Sequence, residues 1–478
     1  MLITLQKTSV DFYLKPSFIF KRNWSFYRSS GVAKMGGETV KSVLFNSLVA
    51  CTALVAVSES AAAQDYGSFP GVTIDAKLIG GQQYEALYGR IADWEALTGA
   101  KVNILSKKSH FEIDREIKSD MAAGTTDWCV GSNHSSFAPQ YEGLYTDLNA
   151  LVSPDIVAEF VPGNIGAATV GGELLMLPRA QFDVSVLYYL KSNYTDPEKA
   201  AEFKAEYGYD LAVPETWEQV KDQAIFFADP PNFYGTQYAG KDEGVVGRFY
   251  EMLIAEGGQY LNDDYSPAFN SEEGVRALQW FVDLYQANAV PAGTTSYVWD
   301  DLGQGFASGT IALNLDWPGW AGFFNDPESS KAAGNVGVAV QPMGSAKRTG
   351  WAGLHGFSVT NDCANKEAAA SFVMYLTSEE SQLAESSGGS LPTRTAVWNA
   401  NLETAANGDD AFRAEALAAF AEGAKHSFAV PPIPEWGETT NIVFPELQAA
   451  IVGDKTAQQA LDDAAAEVDE LMQDAGYY

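Results

Sequence analysis

The stretch GTIALNLDWPGW, residues 309–320, sets a carboxylate, Asp316, and two indoles, Trp317 and Trp320, where a predicted strand over 310–315 gives out. A flat apolar surface beside a directed polar group is what a small-molecule pocket requires; a buried core corner is the alternative for the same residues. The mixture recurs at other predicted strand ends. Gln82, Gln83 and Tyr84 follow the first strand, and Asn133, His134 and Ser135 follow DWCVGS (127–132). Arg179, Phe182 and Asp183 lie in LPRAQFD (177–183), and Trp351 and His355 in the glycine-rich GWAGLHG (350–356). Strand ends border the ligand crevice in open α/β sheets, so these residues form the candidate ligand-binding set. Sugars fit such a mixture, because their C–H faces stack on rings while their hydroxyl rims need hydrogen bonds.

Catalytic chemistry is poorly served by comparison. HExxH, P-loop, GxSxG and dinucleotide fingerprints are all missing from the sequence. The four histidines, His110, His134, His355 and His426, are scattered without metal-ligand spacing, so neither a metal nor a cofactor is expected. With 62 acidic residues, two carboxylates falling close together is expected by chance, and a glycosidase pair carries little weight. A binding protein is therefore expected, with a secreted carbohydrate-active enzyme as the catalytic alternative. A third reading replaces the sugar by a betaine, an amino-acid-like osmolyte or a peptide, held by an aromatic box through cation–π attraction.

The elements that must position these residues alternate. VTIDAKLI (72–79), KVNILS (101–106) and DWCVGS read as strands. The segments 83–99 and 111–124 between them read as helices, each ending at a glycine. This β-α-β-α-β order predicts an α/β domain with a largely parallel sheet. A second region over about 183–340 carries strands at 184–190, 310–315 and 336–342. Its helices are predicted at 214–229, 243–258, 271–288 and 299–309. A strand at 356–360, a helix at 366–376 and an amphipathic helix at 456–474 complete the reading. No repeat or flexible tether separates the regions, which predicts several short crossings.

Composition narrows the partners. The 478 residues carry a net charge of −32, which argues against nucleic acid and anionic lipid as ligands. Residues 1–63 are different, at +4, leaving −36 for the remainder. Lys41 precedes the apolar run SVLFNSLVACTALVAV, and Ala61 and Ala63 follow, the pattern of a secretory signal with cleavage expected after Ala63. The signal begins near Met35, so residues 1–34 read as an early start or an N-terminal extension. Leu48–Cys51 is similar to a lipoprotein box, but the apolar run continues past Cys51, which favours export without a lipid anchor. Cys129 and Cys363 remain after cleavage, compatible with one disulfide or with two buried thiols.

From Val72 to Gly476 the chain resembles the family 1 extracellular solute-binding proteins of ABC importers, the group that includes the maltodextrin-binding protein. The resemblance is carried by WEALTGAKV (94–102), GGELLMLPRAQFDVSVLYYLKSNY (171–194), PETWEQV (214–220) and AEGGQYL (255–261). FNSEEGVRALQWFVDLY (269–285), FASGTIALNLDWPGW (306–320) and GFSVTNDCANKEAAASFVMYLTSEESQ (356–382) continue it. LPTR (391–394) and residues 444–472 complete it. It implies an α/β, two-lobed periplasmic-binding-protein fold, each lobe a mainly parallel sheet flanked by helices, joined by three hinge crossings near 181–183, 341–344 and 388–392. The first lobe would hold 64–181 and 344–388, the second 182–341 and 392–478.

The resemblance further implies a monomeric periplasmic receptor. It closes on its solute by hinge bending and hands it to membrane permease subunits. By position, Gln82 and Gln83 would offer polar contacts, Phe182 and Asp183 would sit at the first crossing, and Trp317 would stack on the solute. Arg248, in GRFYE, and Arg394, in LPTR, are further ligand candidates with salt bridging as their structural alternative. Maltodextrin binders place acids where this chain has Gln82 and His134. That departure implies a smaller sugar, a polyol, or a sugar derivative with an anionic group, for which Arg179, Arg248 and Arg394 would be the partners.

Overall fold

A computed structural model describes residues 64–81, 84–141, 143–386, 390–408 and 410–478. The signal-like segment, Cys51, Gln82 and Gln83 lie outside the described residues.

In chain order the strands are β1 (Thr73–Ile79), β2 (Lys101–Lys108), β3 (Val130–His134), β4 (Thr169–Val170), β5 (Glu173–Leu174) and β6 (Leu177–Val184). There follow β7 (Val186–Leu190), β8 (Leu313–Asp316), β9 (Val336–Ala339), β10 (Gly350–Val359) and β11 (Ser427–Phe428). Six of them make one sheet, in the order β11-β10-β3-β1-β2, with β6 also paired to β10. β1 runs parallel to β2 and β3, as the alternating strands and helices predict, while β10 is antiparallel to both β3 and β6. Parallel strands covered on both faces must be apolar on both. β1 obeys with Ile74, Ala76, Leu78 and Ile79 buried, and its one buried cation, Lys77, pairs with Asp120.

The second sheet, β8-β7-β9, departs from the expectation of a mainly parallel sheet. Both of its pairings are antiparallel. The chain passes from β6 of the first sheet to β7 of the second through Ser185 alone.

Local signals place the helices. His110–Ala123 starts on a capping box, Ser109 with Glu112, and ends on Gly124 at φ 66°. Asp242–Ala255 is buried along almost its whole length, and Glu272–Gln286 buries Ala277, Leu278, Phe281 and Leu284 on one face. Trp436–Val452 packs against both of these and against Ala457–Asp474. Helices Thr395–Asn407, Ala411–Ala424 and Trp436–Val452 were not foreseen from sequence; the first two are alanine-rich with little apolar periodicity.

Cys129 and Cys363 are joined by a disulfide. They lie just before β3 and just after β10, two strands whose ends pair at Val130 and Val359. The bond therefore fastens the open end of that antiparallel ladder. Among the described residues no helix is long and apolar enough to cross a membrane.

Candidate ligand-binding site

A cavity of about 320 Å³ opens at the C-terminal ends of β1, β2 and β3. Ile79, Gly80 and Gly81 follow from β1, Lys107 and Lys108 close β2, and His134 ends β3. β10, antiparallel to β3, brings Trp351, Gly353 and His355 to the same place, and β6 brings Arg179. Helix Asp242–Ala255 contributes Glu243, helix Trp299–Ala307 contributes Trp299 and Asp300, and the residue after β8 is Trp317.

Three indoles form one wall. Trp299, Trp317 and Trp351 contact each other with ring centroids 5.2, 5.4 and 5.9 Å apart, in inclined, edge-to-face geometries. Trp317 is held at both backbone polar groups. Its N–H donates to Asp316 Oδ1 at 2.8 Å, and its carbonyl accepts from Tyr188 at 3.0 Å. Trp351 lies on Gly247, where a Cβ would stand 2.3 Å from the ring. Gly247→Ala sets two effects against each other. Helix propensity favours alanine by about 1 kcal/mol, while overpacking costs about 1–3 kcal/mol. The expected outcome is a loss of up to about 2 kcal/mol of stability together with a displaced Trp351. A lowered melting temperature and altered tryptophan emission would report it.

Three imidazoles form a second wall. His134 lies 4.6 Å from His355 and 4.8 Å from His110, centroid to centroid, and His110 lies 5.5 Å from His355. Ser136 N–H donates to His134 Nδ1 at 3.2 Å, which leaves the neutral ring's proton on Nε2. That nitrogen faces Gly353, where a Cβ would lie 2.0 Å away. Burial pushes the His110 imidazolium down to about 4. Burial, then repulsion within the cluster, holds His134 and His355 well below their ordinary value. The wall is therefore neutral at pH 7. His110 Nε2 and His355 Nδ1 are buried without a hydrogen-bond partner, as is Trp351 Nε1, and such atoms call for a polar ligand.

The cations around the cavity are all paired. Arg179 Nε donates to Glu385 at 2.7 Å, and its guanidinium lies 4.0 Å from the centre of the Tyr84 ring. Lys107 pairs with Glu85 at 2.6 Å and Lys108 with Glu116 at 2.5 Å.

Of the sequence candidates, the structure brings Tyr84, His134, Arg179, Trp317, Trp351 and His355 to the cavity. Others go elsewhere. Trp320 turns into the second core, stacked on Phe324 at 5.8 Å, because the 3-10 turn Pro318–Trp320 points successive indoles apart. Asp316 lies behind Trp317 as its anchor. Asn133 bonds Ser358 across the ladder, and Ser135 accepts from Leu354 N–H. Arg248 is buried against Glu251 and Ser185, and Arg394 against Glu159 and Thr377, so both take the salt-bridge alternative. The backbone of Phe182 and Asp183 belongs to β6, with Asp183 opposite Gly353; their side chains are outside the described residues.

Sequence reasoning missed His110, Glu243, Trp299 and Asp300. Trp299 and Asp300 sit at a predicted helix start rather than a strand end. His110 and Glu243 carry no local signal, since only the tertiary fold brings them to the cavity. Three of the four histidines that looked scattered converge, His426 lying apart beside Glu422, yet among the described residues no group of three or more His, Cys, Asp or Glu is arranged to hold a metal.

Buried acids give a pH signature. Burial pushes Glu243, Glu251 and Asp316 up to about 7. The folded state holds these protons where the unfolded chain releases them, so the stability they add at acid pH is lost as pH rises through 7. The histidines act oppositely: their folded values are depressed, so stability is lost as pH falls below the ordinary imidazole value. From pH 6.5 to 8 the acids cost about 2 kcal/mol, while the histidines, still partly protonated in the unfolded chain at pH 6.5, return about 1 kcal/mol. A net loss of about 1 kcal/mol is expected there, read as a slightly lower melting temperature at pH 8. Between about pH 5 and 6.5 the two sets nearly cancel. An equal melting temperature at pH 6.5 and 8 would contradict this assignment.

Comparison with known proteins adds the following. The profile of the family described as bacterial extracellular solute-binding protein matches residues 80–383. A Sinorhizobium fredii protein named "Probable amino-acid ABC transporter periplasmic-binding protein y4oP" is 24% identical over 432 residues, 88% of this chain and 94% of its own length. Maltose-bound MalE3 of T. maritima has 28% identity and a TM-score of 0.73, with 84% of this chain and 100% of that chain covered. An ABC transporter solute-binding protein of Agrobacterium radiobacter K84, solved with ribitol, shares the fold at 23% identity and a TM-score of 0.71, over 84% and 100% of the two chains.

Proposed function

This chain belongs to the bacterial extracellular solute-binding proteins, and from that premise we propose that it is a receptor for a sugar- or polyol-like solute, which it delivers to the permease of an ABC importer. The observation that carries the solute class is the pair of walls lining one cavity. Three indoles offer apolar ring surface for C–H faces, and the neutral histidines offer both donors and acceptors for hydroxyls. The maltose and ribitol held by the two related structures support the same class. At about 320 Å³ the cavity is at the small end of ligand pockets, which favours one or two rings over a long oligosaccharide.

An anionic solute loses its support. Arg248 and Arg394 are committed elsewhere, and Arg179 is paired with Glu385. The amino-acid name of the Sinorhizobium relative keeps an amino-acid-like cargo as the second reading.

We read the lobes as 64–181 with 344–388 and 182–341 with 392–478, the first built on the six-stranded sheet apart from β11 and the end of β6, the second on the three-stranded sheet. Both lobes line the cavity on this division: the histidines come from the first and Trp299 and Trp317 from the second. Closure then gives the closed form contacts that the open form lacks, and that difference drives capture. The receptor works without turnover and as a monomer, in the compartment to which the N-terminal signal exports it.

The test is a thermal-shift screen of the purified protein against sugars, polyols, betaines and amino acids. A ligand at 100 times its dissociation constant stabilises by about 2.7 kcal/mol, a clear rise. A rise with a sugar or polyol supports the proposal. Rises only with betaines or amino acids would overturn the solute class, and hydrolysis in a chromogenic glycoside panel would overturn the non-enzymatic role.

A further inference from the structure

Two connections between the sheets lie together. β6 passes to β7 through Ser185 alone, and residues 340–349 lead from β9 into β10. β6 and β10 are themselves paired, Val184 opposite Ala352, so the two connections leave the six-stranded sheet side by side. One helix, Asp242–Ala255, holds both. Arg248 Nη1 donates to Ser185 Oγ at 2.7 Å, and Thr349 Oγ1 donates to the Glu251 carbonyl at 2.8 Å. Arg248 and Glu251 stand one helical turn apart and form a buried ion pair, exposed by only 4% and 0%. The same helix reaches the tryptophan wall. Gly247, beside Arg248, is the seat of Trp351. Arg248 Nη2 donates to the Leu315 carbonyl at 3.4 Å, two residues before Trp317.

A buried ion pair is a poor source of stability, because desolvating two charges offsets their attraction. This one is also incompletely satisfied, since Glu251 Oε1 is buried without a hydrogen-bond partner. What a guanidinium does well is fix direction. Its planar fork reaches a carboxylate, a hydroxyl and a carbonyl at once, which apolar packing cannot do. We propose that Arg248 and Glu251 are positioning residues for solute capture: they fasten the tryptophan wall to the two connections, so that bending there and contact with the solute occur together. Neither residue lines the cavity. Loss of the ties leaves both lobes folded and frees the angle between them. This rests on the two-lobed closure read above.

The test is the distance between spin labels at Ser119→Cys and Gln304→Cys, exposed positions on a helix of each lobe, read by electron spin resonance on the purified protein. Without solute, Ser185→Ala combined with Thr349→Val removes both ties and keeps the ion pair. It is expected to shift the mean distance by several ångströms or to broaden its distribution. Arg248→Met combined with Glu251→Leu replaces the pair by apolar groups and is expected to do the same, with melting curves showing that each variant folds. Thr349→Ser keeps the hydroxyl and should match the parent. Lys77→Met breaks a buried ion pair within the first lobe, and should lower the melting temperature without moving the labels. Maltose and ribitol are the solute probes, and whichever binds should bind about tenfold more weakly to the tie and pair variants. Tie and pair variants with the parent's distance would overturn the positioning role, and a parent distance that still shortens with a bound probe would leave closure standing. A parent distance unchanged by a probe that raises its melting temperature would overturn the closure reading, and the positioning role with it.

Discussion

Trp317→Ala is expected to weaken solute binding 30- to 150-fold while the protein stays folded. An aromatic ring that gives up apolar contact on this scale forfeits about 2–3 kcal/mol, and each 1.4 kcal/mol is a factor of ten. The loss falls on binding because Trp317 is only half-buried in the empty protein and its backbone is held independently. Asp316 takes its N–H and Tyr188 its carbonyl, so neither anchor depends on the indole. Trp320→Ala provides the contrast. Its ring is fully buried against Phe324 and above Gly303, so its removal should cost about 3–5 kcal/mol of stability and affect binding only through the fold. Calorimetry and melting curves on the two variants separate the roles. Unchanged affinity in Trp317→Ala would remove Trp317 from the site.

Breaking the Cys129–Cys363 bond is expected to cost about 2–4 kcal/mol. The closed loop is long, with a sequence separation of 234, and long loops gain most from closure in the chain-entropy account. Cys363→Ser should melt several degrees lower than the parent, and a reducing agent should lower the parent to a similar temperature. A melting temperature indifferent to both would mean that the ladder alone secures this end of the sheet.

How far the sequence could be read depends on the distance over which each feature is determined. Strands β1 and β2, the capped helix His110–Ala123 and the amphipathic helix Glu272–Gln286 rest on local patterns and were legible. The antiparallel second sheet was not, because β7 pairs with strands far along the chain and hydrophobic periodicity does not record the direction of such pairing. The strand-end rule found Trp317 and His134, since local sequence fixes which residues leave a strand; Trp351 and His355, also named by it, stand inside β10, which begins at Gly350 rather than at 356. It could not separate Trp317 from Trp320, because one short turn sends one ring to the cavity and the other to the core. The three arginines show the same limit. Their partners Glu385, Glu251 and Glu159 decide whether each meets a solute, and two of the three lie far away in the chain.

β10 gives the site an order of assembly. It pairs with β3 on one side and β6 on the other while supplying Trp351 and His355 to the cavity. His134 and His355 stand opposite each other across that ladder, although most of the second region of the chain lies between them in sequence. The loop must close before the pairing rewards it, and contacts this distant form slowly. No subset of the chain ending before Gly350 contains a complete cavity, whatever else it folds. Competence to hold a solute therefore arrives with the last central strand of the first sheet, so recovery of binding after dilution from denaturant would report completion of that sheet.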